Sequence, residues 1–203
     1  MKSIFCLCYA LFFTLGSCHS STKSYKNGDL IFQISRSSQS KAIQLPTHSK
    51  YSHCGIIYQK GTEYFVFEAV QPVKLTPLNE WIARGEKHHF VVKRLKNAER
   101  ILTPKVLDAM QKEGKKLQGK KYDIYFGWDD QRIYCSELIW KIYKRGANIE
   151  IGKLQRLKDF DLENKLVRKK LEERYGKRIP LSEKVISPAS IFEDSQLVEV
   201  DRN

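Results

Sequence analysis

The sequence lacks a long apolar run. Its most apolar stretch, residues 4–15, is too short to cross a bilayer comfortably. It lacks a Walker-type phosphate loop, zinc-knuckle spacing and an RNP-type motif, so nucleic acid is a poor partner despite a formal net charge of +13. Acid is scarce, with 23 Asp and Glu against 36 Lys and Arg. The basic excess leaves an anionic membrane surface or an acidic polymer such as cell wall as partners. There is no internal repeat and no linker long enough to separate a second domain, and 203 residues suit a single one. The adjacent His88 and His89 have no other ligand at obvious spacing, so they read as the start of a strand; neither metal nor cofactor is implied.

Usable cysteine is also scarce. Of five, Cys6 and Cys8 lie in the apolar stretch and Cys18 just beyond it, which leaves Cys54 and Cys135. Lys2, the apolar stretch and a small-residue end make residues 1–25 a secretory signal and tether, with residues 26–203 as one domain. The LGSC at 15–18 resembles a bacterial lipobox, which implies acylation of Cys18 and a membrane anchor in the cell envelope. Ordinary cleavage among residues 17–20 is the alternative. In an exported protein two remaining cysteines invite a disulfide. The hairpin described next argues against it, because Cys54 there faces away from its neighbour His53, as a small buried residue would.

What is present is a hairpin and a cysteine. KYSHCGIIYQKGTEYFVFEAV reads as two strands around a turn at Lys60-Gly61. That turn sets Gln59 opposite Thr62 and Tyr58 opposite Glu63, and the count continues until His53 falls opposite Glu68, on one face. A glutamate inside an apolar strand calls for a partner or a function. Cys135, in RIYCSELIWKIYK, stands where an extended entry passes into an amphipathic helix with Leu138, Ile139, Ile142 and Tyr143 on its apolar stripe. A helix N-terminus lowers a thiol's pKa. Nucleophile Cys135, base His53 and orienting Glu68 form the set that covalent acyl transfer needs, with the Cys135 backbone N–H and the Tyr122 hydroxyl as candidate oxyanion or substrate contacts.

The other elements read more simply. Residues 28–35 make a first strand, and residues 36–50, rich in Ser, Gln and Lys, make a loop that includes a solvated His48. Residues 78–84 form a short helix ended by Gly85. Thr103-Pro104 opens a longer helix that closes at Gly119. Residues 161–175 read as a charged surface helix, and a Ser-Pro turn, a short helix and a strand end the chain.

The succession GDLIFQ, YSHCGI, FVFEA, KKYD, YCSELIWKIY and ISPASIF resembles the YiiX-like permuted papain-like amidases, the circularly permuted branch of the NlpC-type cysteine peptidase superfamily. The resemblance implies an α+β fold with an antiparallel sheet packed against the cysteine helix. It implies His53 as base, Cys135 as nucleophile and Glu68 as third polar residue, and hydrolysis of an amide through a thioester. The resemblance leaves the substrate class open among cell-wall peptides, N-acyl amino acids and acyl lipids. A lipid acyltransferase or lipase on the same triad, or a non-catalytic envelope lipoprotein, is the alternative.

Overall fold

Alternating side chains organise the molecule. The computed structural model describes residues 24–203, so the leader and Cys18 lie outside the described residues. The chain runs through β1 (Leu30–Ser35), α1 (Ser40–Thr47), β2 (His53–Lys60), β3 (Glu63–Glu68), β4 (Lys74–Pro77), α2 (Leu78–Ala83) and β5 (Gly85–Leu95). Next come α3 (Ala98–Ile101), α4 (Pro104–Leu117), β6 (Lys121–Tyr122), β7 (Arg132–Ile133) and α5 (Cys135–Ile142), which a π-helical turn at Tyr143–Ala147 extends. Finally β8 (Gln155–Arg156), α6 (Lys165–Tyr175), β9 (Lys184–Val185), α7 (Pro188–Phe192) and β10 (Leu197–Arg202) complete the fold.

Six strands form one sheet in the order β10-β5-β1-β2-β3-β4, with every neighbouring pair antiparallel. Both faces are covered. Leu30, Phe32, Cys54, Ile56, Tyr58 and Phe67 point into the larger core beneath the cysteine helix. The alternate residues Ile31, Ile57, Val66 and Val92 pack on the other face around Trp81 of α2. The period of two thus assigns each strand residue to the helix-α5 side or the Trp81 side.

Helix starts follow local chemistry. Thr103 Oγ1 accepts from Val106 N at 3.4 Å to open α4, and Asn164 Oδ1 accepts from Leu166 N at 3.0 Å to open α6. That cap corrects the expected start at residue 161. Residues 36–50 are a second correction: α1 occupies most of this stretch, with Pro46 inside it and His48 as its left-handed C-cap at φ 50°. The described ends of the chain meet on one edge of the sheet. The Tyr25 hydroxyl donates to Asp201, and Arg94 of β5 donates to the Ser24 carbonyl and pairs with Asp29.

Candidate active site

The hairpin turns at Gly61-Thr62, so Lys60 pairs with Glu63, Tyr58 with Phe65 and Ile56 with Phe67. The expected register is therefore off by two residues, because the glycine occupies the first rather than the second turn position. A shift of two preserves every side chain's face. Continued past Ile56, the true register sets Gly55 opposite Glu68 and leaves His53 diagonal to it. The diagonal contact is direct: His53 Nε2 and Glu68 Oε2 are 2.6 Å apart. Gly55 makes room for it. A Cβ there would meet Val66 Cγ1 at 2.3 Å, the Phe67 carbonyl at 2.9 Å and Glu68 Cβ at 3.5 Å.

Glu68 is fully buried and fully engaged. Its other oxygen, Oε1, accepts from Thr76 Oγ1 at 2.5 Å and from the Arg84 guanidinium. Burial alone would raise its pKa; the bonds from His53 and Thr76 and the Arg84 charge together hold it below the usual carboxylate range. Trp81 lies over the His53 ring, with centroids 5.9 Å apart and planes 25° off parallel. The imidazole is thus fixed in its plane by an indole and in its rotation by a carboxylate.

Cys135 is the first residue of α5. Glu137 Oε2 accepts from Tyr134 N at 3.2 Å and closes the helix start. From the far side the Tyr134 hydroxyl accepts from Ile186 N at 3.1 Å, and Ser136 Oγ donates to the Ile186 carbonyl at 2.7 Å. Because Nε2 of His53 is taken by Glu68, Nδ1 is the ring nitrogen left to face the thiol. Burial would lower the His53 pKa, but the bonds to Cys135 and Glu68 outweigh it and push it up to about 9. The Cys135 thiol is held well below its ordinary value. A hydrogen bond from Cys54 is the largest cause, and the His53 bond and charge work with it against burial. Both shifts run in the direction that favours a thiolate facing an imidazolium.

Cys54 is a correction. It does alternate with His53 along β2, as expected, but α5 packs on the Cys54 side of the sheet. Instead of facing away from the chemistry, Cys54 meets Cys135. Burial pushes its own thiol well up, so it stays protonated and can donate. The two thiols are free cysteines. Tyr122 comes to the same place on β6: its hydroxyl contacts Cys135, and burial keeps it un-ionised. The chain therefore brings Cys135, His53, Glu68 and Tyr122 together, and adds Arg84, Thr76, Trp81 and Cys54, which the sequence reading assigned no role there. Thr76 carries a faint signal as a polar residue inside a strand. Arg84, at the end of a short helix, carries none.

Two cavities flank the pair. An apolar pocket of about 70 Å³ opens beside Cys135, lined by Phe126, Phe160, Leu162, Val167 and Leu171 among others. A larger cleft of about 900 Å³ opens beside His53. Tyr122 stands between them and lines both.

Residues 24–201 match the family model described as "Permuted papain-like amidase enzyme, YaeF/YiiX, C92 family". The chain is 49% identical over 175 residues to the Escherichia coli (strain K12) protein called Uncharacterized protein YiiX, a match covering 86% of this chain and 85% of that protein. It superposes with a TM-score of 0.83 on a crystal structure of YiiX from Escherichia coli O157:H7, at 50% identity over 88% of this chain and 97% of the other. That YiiX is described as a metalloprotein. Among the described residues here, no three His, Cys, Asp or Glu side chains are grouped so as to hold a metal ion. The family match spans nearly all the described residues, and the sheet with its cysteine helix has the architecture of that solved relative: this chain belongs to the permuted papain-like amidases, a family of the cysteine-hydrolase kind.

Proposed function

We propose that the protein is an exported cysteine amidase that cleaves an amide bond of a cell-wall peptide or an N-acyl amino acid through a thioester on Cys135. The observation that carries this reading is the unbroken run of contacts from Glu68 through His53 to the first residue of α5. In the first half-reaction the Cys135 thiolate attacks the carbonyl carbon and the carbonyl electrons move onto oxygen. The Cys135 N–H, one of those a helix leaves unpaired in its first turn, and the Tyr122 hydroxyl receive that oxyanion. One such donor is worth about 3 kcal/mol in the transition state. As the tetrahedral adduct collapses, the C–N bond breaks, the His53 imidazolium gives its proton to the leaving nitrogen, and the amine departs. In the second half-reaction His53 takes a proton from water, the hydroxide attacks the thioester, and the acid leaves as the thiolate returns. Glu68 orients the ring and stabilises its charged form.

The apolar lining beside Cys135 favours a second reading, acyl transfer or lipolysis on the same residues. Phe126, Phe160, Leu162, Val167 and Leu171 there would receive an apolar acyl group. Turnover on matched amides, peptides and esters tests both. Cys135→Ala and His53→Ala should each abolish turnover; Cys135→Ala should melt close to wild type, and His53→Ala, which loses the bond to Glu68, should melt lower but still in one cooperative transition. Retained turnover in either variant would sink the mechanism. We further propose that Cys18 is lipidated and anchors the enzyme in the envelope. Membrane fractionation of wild type against Cys18→Ser tests this, and equal partition would leave only a cleaved leader.

A further inference from the structure

The cleft beside His53 has one sign of charge. Arg36, Arg84, Lys121 and Arg132 line it, and no carboxylate does. They come from three places in the fold: the loop after β1, the end of α2, and the short β6–β7 pair. Arg84 is neutralised by Glu68. Arg132 lies over the Tyr125 ring at 5.2 Å, and neither it, Arg36 nor Lys121 has an acidic partner among the described residues. Lys121 and Arg132 are direct cross-strand partners. Both are exposed, so this short pair presents two cations side by side at the cleft.

The chemistry sets which end of a substrate enters this cleft. The acyl carbon must bond to Cys135, which lines only the apolar pocket, while the leaving nitrogen must take its proton from His53, which lines only the cationic cleft. The acyl group therefore lies in the mainly apolar pocket, where Lys170 is paired with Glu173 and Arg174 lies over the Phe126 ring, and the amine component lies in the cleft with the unpaired cations. We infer that the amine component released by the enzyme bears a carboxylate, as a free amino acid or peptide does, and that Arg36, Lys121 and Arg132 read it. The inference rests on the amidase reading for its direction, but the anion site can be tested without turnover.

The probes are N-hexanoylglycine and N-hexanoylglycinamide, titrated calorimetrically into Cys135→Ala protein. The carboxylate should bind about tenfold tighter, the sum of a few partly exposed ion pairs. That advantage should shrink when NaCl rises from about 0.05 to about 0.5 M. In the Arg36→Gln/Lys121→Gln/Arg132→Gln variant it should fall to about twofold or less, with Arg84 kept so that Glu68 stays paired. If the triple variant does not fold, Arg36→Gln and Lys121→Gln alone should each reduce it. Equal affinities, no binding of either probe, or a preference that survives the substitutions would overturn the inference. Carboxylate-selective binding with no turnover of any amide by wild type would sink the amidase reading and leave the anion site standing. Equal turnover and equal binding of acid and amide would do the reverse.

Discussion

Cys54 sits beside Cys135 and, as a protonated thiol, is the largest influence lowering the Cys135 pKa. Cys54→Ala should therefore move the acid limb of Cys135 alkylation to higher pH and slow alkylation at neutral pH, with the fold intact. Peptide-mapped iodoacetamide labelling across pH checks this, and an unchanged profile would remove Cys54 from the site. The wild-type pH–rate profile should rise as the thiolate forms and fall as pH passes about 9, where the imidazolium that protonates the leaving amine is lost. His53 is raised from its ordinary 6.5 to about 9, so its charged form contributes stability that is full below about 6.5 and gone once pH has passed about 9. The melting-temperature gap between wild type and His53→Gln should close over that window. Glu68→Gln keeps the shape but loses the charge facing His53, and should lower turnover by about 10²- to 10⁴-fold, read on the best amide of the panel.

Helix α5 is held by charge as well as by its apolar stripe. Lys141 is buried, donates to Glu137 Oε1 at 2.5 Å and Asp130 Oδ1 at 2.8 Å, and reaches the carbonyls of Trp128 and Asp129. It ties the loop between β6 and β7 to the helix that carries the nucleophile. Burial pushes the Glu137 carboxyl up to about 8 even beside Lys141, so Lys141→Met should leave it protonated and short of a partner, at a cost of about 1–3 kcal/mol in urea denaturation. Adding Glu137→Gln should recover much of that loss, since the two act as a unit. Such tertiary ties mark the boundary of what the sequence displayed. The hairpin and the helix start were legible because periods of two and 3.6 and turn chemistry are local. The register error did no damage to the His53–Glu68 pairing because it was even; an error of one would have put Glu68 on the other face. Helix α1 was hidden by its Ser, Gln and Lys content and by Pro46, and it is held by packing against α6 rather than by its own propensity. Which side of β2 the nucleophile approaches, and so what Cys54 does, depends on where α5 docks, and no local pattern records that. Arg84 reaches Glu68 from sixteen residues away in sequence by the turn of a short helix.

At the scale of the whole molecule, the six-stranded sheet carries the base and its carboxylate in its middle strands and receives the nucleophile from a helix laid across it. The edge where Tyr25 meets Asp201 and Arg94 holds Ser24 has a consequence of its own. Two stretches that close together behave as the halves of an open clasp, and a short Gly-Ser bridge from residue 203 to residue 24 would fasten it into a hoop. The hoop could then be opened at the exposed Lys96-Asn97 bend, giving a polypeptide in which Cys135 is translated before His53 while every strand keeps its neighbours. That rewired chain should fold and should label at Cys135 at the original rate, because chemistry here depends on where the atoms meet and not on which of them the ribosome delivers first.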